Sequence, residues 1–283
     1  MSFISIKEIR TFCQQYTCET LTSNPKNKDA ILSFTTTEYG EPLVNYLQND
    51  AWKHDEDGKT KVYLIKDSKD EIAFYFSLKC GLLYKKEMEL DQEKEYYVDS
   101  IYKIMENTTD TSQHELDGLY TDVLATFDVK GATELFNIAR SRLEAKKDQE
   151  RDPSKTTHVA ECYPAIELMH YCKNTSYKGY KYTEVPLGFV LFWEVVVPQI
   201  CRITETIGCE YVYLFAADKS DRSHHRLVDH YRNAYKFDSM TDAVVLKSDY
   251  ETDCYTLTQD ISALKENREG IWKERMEDYE NDE

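Results

Sequence analysis

The residues with the most chemical promise lie together between Ala165 and Gly188, in AIELMHYCKNTSYKGYKYTEVPLG. A carboxylate (Glu167), an imidazole (His170) and a thiol (Cys172) share one strand-like run. A loop carrying Lys178, Gly179 and Lys181 follows, and a helix begins near Pro186. A strand running into a helix N-terminus offers unpaired amide N–H groups and the positive end of the helix dipole, which suits a phosphate or pyrophosphate. Gly179 lets the backbone approach such an anion closely. The alternative is a basic surface loop with no ligand. In an acidic chain, a lysine-and-glycine loop just before a helix start favours the anion site. His224, His225 and His230 carry no Cys or acidic ligand at helical spacing, so they read as loop and helix surface rather than a metal site.

Positioning these groups takes a sheet and its covering helices. Residues 3–20 read as a short helix with Ile6, Ile9 and Phe12 on one face, and Gly40–Lys53 as a second amphipathic helix. KVYLIK (61–66) and EIAFYFSLKCGLL (71–83), joined by DSKD, read as an antiparallel hairpin. From 85 to about 143 the pattern is helical and charged, and 144–157 reads as a polar, mobile loop. Strand character returns at Pro164–Cys172. Leu187–Ile207 is a long apolar helix with Thr183 as N-cap, Pro186 near its first turn, a kink or break at Pro198 and Gly208 as C-cap. YVYLFAAD (211–218) is a buried strand, LVDHYRNAYKF (227–237) a helix, DAVVLK and CYTLTQ two more strands, and the chain ends in a charged helix. This order implies an α/β fold: a mixed sheet with helices on its faces. The stretch 85–157 is too long for an ordinary loop and is expected to pack as a helical insertion.

Composition bounds the rest. The 283 residues are 41% hydrophobic and include 22 tyrosines, enough for a sizeable core. A net charge of −17 argues against general binding to nucleic-acid backbones and would attract cationic ligands such as amines. The eight cysteines have no CxxC spacing, so buried thiols are expected rather than zinc or disulfides. MSFISIKEIRTF has no signal-peptide core and no apolar run reads as membrane-spanning, which makes a cytoplasmic protein with no membrane partner the expectation.

These segments resemble the GNAT superfamily of acyl-CoA-dependent N-acyltransferases. The run Glu167–Lys173 followed by NTSYKGYKYTEVPLG is similar to that family's central strand and pyrophosphate loop, Q/R-x-x-G-x-G/A. YVYLFAAD and LVDHYRNAYKF resemble its next strand and helix, where a tyrosine often lies a few residues before an aromatic Gly-Phe end. FTTTEYGEPLVNYLQNDAW and VYLIKDSKDEIAFYFSLKCG look like the first helices and hairpin of its toxin-like members. The likeness covers about 1–84 and 158–260. The chain departs from the pattern at Lys178, where Gln or Arg is usual, in the extra residues between Gly179 and Gly188, and at Tyr235-Lys236, which replace the Gly before Phe237.

The resemblance implies a mostly antiparallel GNAT-like sheet, with the insertion between its third and fourth strands. It divides the chain into 1–84, the insertion 85–157 as a lid or wall of the acceptor site, and 158–283. It implies acetyl-CoA as co-substrate, no metal, and direct attack by a primary amine in a ternary complex. A homodimer is compatible with it. Glu167 would take the amine's proton, through water; the alternative is a structural Glu. His170 is the rival base, facing away from Glu167 on an alternating strand unless a bulge intervenes. Backbone amides at Tyr171, Cys172 and Lys173 would polarise the thioester and pair with the pantetheine arm, whatever their side chains. Lys178, Gly179, Tyr180, Lys181 and Gly188 would hold the pyrophosphate. Tyr231 would protonate the leaving thiolate, its alternative being a core tyrosine. Cys172 has no evident activating partner and reads as an inert thiol. Two other functions stand beside this one: a non-catalytic acyl-CoA-binding or interaction module on the same fold, and a toxin acetylating aminoacyl-tRNA. The charge of −17 opposes the second unless a local basic face exists.

Overall fold

The computed structural model describes residues 6–85, 90–107, 112–151, 162–180, 185–217, 226–239, 243–244 and 254–281. Helix α1 (Ile6–Cys13) leads to strand β1 (Thr17–Thr20), then the short α2 (Asn27–Ala30), α3 (Glu41–Asn49) and α4 (Ala51–Glu56). β1 corrects the sequence reading, which ran helix to residue 20. Thr17 and Thr20 are β-branched, and pairing with the hairpin, Thr17↔Lys66 to Thr20↔Tyr63, draws the segment into the sheet. β2 (Lys61–Lys66) and β3 (Ile72–Lys85) form the expected hairpin. Its turn places Asp70 at φ 66° and uses Asp67 Oδ1 to accept the amides of Lys69 and Glu71.

Three helices, α5 (Gln92–Glu106), α6 (Ser112–Thr126) and α7 (Val129–Arg151), lie between β3 and β4 (Cys162–Lys173). α7 runs into the stretch read as a loop, because AKKDQER is built from good helix formers despite its polarity. There follow α8 (Leu187–Leu191), a π-helical turn (Phe192–Val196), α9 (Val197–Thr206), β5 (Tyr211–Ala216), α10 (Arg226–Tyr235), β6 (Ala243–Val244), β7 (Tyr255–Asp260) and α11 (Ile261–Asn281). The sheet order is β1-β2-β3-β4-β5-β7, with β6 on β3. β4 and β5 are parallel, whereas β5 and β7 are antiparallel. This is the mixed, mostly antiparallel sheet expected.

The chain divides into two compact units. In Met1–Leu83, Tyr163–Met240 and Val245–Glu283 the sheet carries a core on each face. One contains Phe74, Phe76, Leu78, Ile166 and Leu168 with α1, α8, α9, α10 and α11. The other contains Val62, Leu64, Tyr75 and Cys172 with the residues of α3 and α4. The second unit, Tyr84–Cys162 with Thr241–Val244, has its own core of Val98, Ile101, Val123, Ala132, Leu135 and Ala139. Asp91 caps α5 through the amides of Glu93 and Lys94.

Leu187–Thr206 is long and apolar enough, by length and composition, to cross a membrane, which the sequence reading overlooked. Its apolar side chains Val190–Trp193, Val196, Val197 and Ile200 are buried in the core. Pro198 divides it as anticipated: with no N–H to give, it sits in the first turn of α9, directly behind the π turn. Glu194, inside that turn, accepts from Arg268 Nη2 (2.8 Å) and Trp272 Nε1 (2.7 Å) and pairs with Arg10. The helix ends on Ile207 in an extended conformation, so Gly208 is not the left-handed cap expected.

Candidate active site

Pairing along β4 and β5 runs Ala165↔Tyr211, Ile166↔Val212, Glu167↔Tyr213 and then stops among the described residues. β4 nevertheless continues to Lys173 and β5 to Ala216. Two parallel strands held together at one end and unpaired at the other leave main-chain polar groups of β4 facing a gap.

The strand also changes phase. Ile166 and Leu168 face the core with Phe74 and Phe76, and so does Tyr171, which packs on Phe74, Phe192 and Tyr235. Cys172 faces the opposite core, and His170 meets Ser77, Tyr46 and Tyr75 there. Met169 Sδ accepts from Thr60 Oγ1 on that same side. Strict alternation cannot put 168 and 171 together, so a bulge places Met169 and His170 side by side. It moves His170 onto the face of Glu167 rather than opposite it.

Glu167 is buried, 5% exposed, and accepts from the Tyr213 hydroxyl at 3.1 Å. Gly81 makes room for that ring: a Cβ there would come within 2.2 Å of the Tyr213 oxygen. Burial pushes the His170 pKa down to about 4, with His54 adding to the fall. The imidazole is therefore a poor base at neutral pH. Burial also raises the Cys172 thiol, which supports an inert sulfur rather than a nucleophile.

Tyr231 stands on α10 beside Tyr235, ring centroids 5.8 Å apart, and within electrostatic reach of Tyr171 and Cys172. Burial, and then Cys172, push its pKa up to about 12, so it is a neutral O–H donor over the physiological range. Its hydroxyl makes no hydrogen bond among the described residues. Tyr171 differs: its hydroxyl donates to the Gly188 carbonyl at 2.5 Å, tying the end of β4 to the start of α8.

The loop after β4 is pinned from inside. Asn174 receives the amides of Thr35 and Ser176 on Oδ1 and donates to Ile72 O. The Tyr177 hydroxyl meets Tyr16 and Asp67, and Tyr180 donates to the Val185 carbonyl. Lys173, Lys178 and Gly179 remain on the surface, the Lys178 ammonium donating to Thr175 O. Lys181, Thr183, His224 and His225 lie outside the described residues. Pro186, not Thr183, is the N-cap of α8, and no side chain caps that end. The amides of Leu187 and Gly188 have no partner among the described residues. A Cβ on Gly188 would lie 3.2 Å from Phe74 and 3.7 Å from the Tyr235 oxygen. The helix start, Tyr171, Tyr235 and Tyr231 thus form one neighbourhood.

The structure brings together Tyr171, Cys172, Gly188 and Tyr231 at the parted end of β4. It places Glu167 four residues away, roughly 13 Å along the strand. Ser77 and Tyr213 escaped the sequence reading. Tyr213 was visible as a polar-tipped residue in a buried strand, but its partner depends on a parallel register that no local pattern encodes.

No family model matches the chain, and no curated protein matches it. Among solved structures it is similar to a tyrosine-to-phenylalanine mutant of KacT at 11% identity, covering 89% of this chain and 99% of that one, with TM-score 0.45. It is also similar to the AtaT toxin bound to the C-terminus of the antitoxin AtaR and acetyl-CoA (11% identity, 89% and 96% covered, TM-score 0.43). A third similar structure is AtaT complexed with acetyl-methionyl-tRNAfMet (9% identity, 88% and 97% covered, TM-score 0.44). Likenesses this distant leave the reading of the site to its own geometry.

Proposed function

We propose that this chain is an acetyl-CoA-dependent N-acetyltransferase acting on a primary amine. The observation that carries the reading is the parting of β4 from β5 beyond Glu167↔Tyr213, with the Tyr231 hydroxyl, unbonded among the described residues, and the start of α8, which no side chain among them caps, beside it. The parted edge of β4 at Tyr171–Lys173 would pair with the pantetheine arm, and its amides would polarise the thioester carbonyl. The amides of Leu187 and Gly188, unpartnered among the described residues, with Lys178 and Gly179 on the preceding loop, suit the pyrophosphate. Tyr180 acts indirectly, by holding Val185 and the loop in place.

In the reaction the amine, once deprotonated, attacks the thioester carbon. The tetrahedral intermediate, its nitrogen carrying one proton too many for an amide, collapses; the thiolate leaves with the proton of Tyr231, and the nitrogen's surplus proton restores the Tyr231 hydroxyl. Glu167 receives the amine's proton; its distance along β4 from Tyr171 calls for water between them.

A second reading differs only in the acceptor. AtaT is seen with acetyl-methionyl-tRNAfMet, and the α-amine of an aminoacyl ester is the same kind of nucleophile. The net charge of −17 favours a small cationic or protein amine instead. Titration calorimetry with acetyl-CoA tests the class, and no heat at millimolar ligand removes it. Assays with spermidine, a lysine peptide and methionyl-tRNA then separate the acceptors.

A further inference from the structure

On Glu167's face of β4 sits a polar pair that the reaction so far leaves unused. Ser77, on β3, is wholly buried, and its hydroxyl lies 2.6 Å from His170 Nδ1. That is the only hydrogen bond of the Ser77 hydroxyl among the described residues. A buried O–H proton without an acceptor is costly, so Ser77 must donate to Nδ1. The imidazole then carries its own proton on Nε2. Tyr46, 4.2 Å away by ring centroid, and Tyr75, at 6.1 Å, fix the plane of the ring. Nε2 makes no hydrogen bond among the described residues and is not sealed from solvent. A fixed N–H donor therefore stands between Glu167 and the Tyr171–Cys172 end of the strand.

We propose that His170 is a positioning residue, a neutral Nε2–H donor that holds the water carrying the acceptor's proton to Glu167. The inference rests on the acetyltransferase reading and deepens it. The balance is simple: the ammonium passes one proton to the oriented water, the water passes one to the Glu167 carboxylate, and the amine keeps the lone pair that attacks. His170 neither gains nor loses a proton. Its low basicity is then an asset, since an imidazolium would repel the cationic amine. The titratable groups facing the ring or sharing its side of the strand are His54 on α4, Tyr46 on α3, Tyr75 on β3, and Glu167 and Cys172 on β4; of these, His54 reinforces the neutral state.

The test uses the full chain in wild-type, His170→Gln, His170→Asn and Ser77→Ala forms, with acetyl-CoA binding and thermal midpoint measured for each. Gln carries its amide where Nε2 sits, whereas Asn mimics Nδ1. Gln should retain kcat for the acceptor accepted in the amine assays, and Asn should lose about tenfold or more, the size of one oriented hydrogen bond. Acetyl-CoA affinity should hold in both. Nitrogen-detected NMR should show His170 as the Nε2–H tautomer between pH 5 and 8, with Ser77→Ala releasing that preference. Equal rates for Gln and Asn, or an Nδ1–H tautomer in the wild type, would overturn the assignment while leaving the acetyltransferase reading intact. Absence of acetyl-CoA binding in the wild type would instead remove that reading, and this inference with it.

Discussion

β4 behaves as two different strands along its length. From Ala165 to Glu167 it is paired with β5, its carboxylate takes the Tyr213 hydroxyl, and Gly81 exists as a glycine so that the ring can lie there. From Leu168 to Lys173 the pairing with β5 is gone among the described residues, the phase has slipped by one residue, and donors accumulate without partners among those residues: the Tyr231 hydroxyl, His170 Nε2, the Leu187 and Gly188 amides. Unmade hydrogen bonds near a protein interior lower stability. A chain that satisfies its polar groups at one end of a strand and withholds them at the other is arranged for a ligand at the second end.

The strongest way to break this contrast is Tyr231→Phe. The hydroxyl makes no hydrogen bond among the described residues, so the thermal midpoint and acetyl-CoA affinity should stay near wild type. Loss of the acid should lower kcat by about 10²-fold or more. Stopped assays with saturating acetyl-CoA, alongside calorimetry, check both halves. A variant that loses stability but not rate would make Tyr231 a core residue. The pH dependence adds a sign: with the group's pKa raised to about 12, its proton is available throughout the neutral range, so the alkaline limb of kcat should lie above the usual tyrosine range near 10.

Arg268→Ala is the next largest, and it strikes stability alone. Glu194 is the extreme of the satisfied type: buried, and engaged by Arg268, Trp272 and Arg10. Removing Arg268 leaves that carboxylate underpaired; because the arginine is partly exposed, the loss should be about 2–3 kcal/mol rather than the full range for a wholly buried pair. Denaturant unfolding reads it. Restoration by Glu194→Gln in the same chain would assign the loss to the stranded charge. Gly81→Ala follows, at about 1–3 kcal/mol from overpacking, because the buried Tyr213 ring cannot withdraw and its bond to Glu167 must break. If that bond matters only to the sheet, kcat will fall no further than the folded fraction does.

How much of this could be read from the chain varies with the kind of signal. The hairpin and the apolar helix were legible because alternation and helical spacing are local patterns, and Pro198 announced its disruption, though not that a π turn would absorb it. β1 was not legible: four residues beside an amphipathic helix become a strand only because β2 offers an edge. The site was half legible. The loop, Gly188 and Tyr231 stood out by type and order. The place where β4 and β5 part, the slip at Met169–His170 and the Ser77–His170 bond depend on contacts between residues many tens of positions apart, and no periodicity records them.

The smallest effect is expected at the end of α10, and it bears on a departure from the resemblance. Lys236 has φ 59°. Its amide donates to Arg232 O, the single bond of a helix end that turns through a left-handed residue, and the next amide, Phe237, reaches back to Tyr231 O. Glycine is the residue that adopts this conformation without steric cost, and it is what the resembling family places before the phenylalanine. Lys236→Gly should therefore raise stability by about 0.5–1 kcal/mol, less whatever the lysine's own contacts contribute. Because those two bonds seat the turn of helix that carries Tyr231, kcat should not change. A loss of activity with the glycine in place would mean that Lys236 acts through its ammonium, and the open end of β4 would then extend to a cation not counted among its groups.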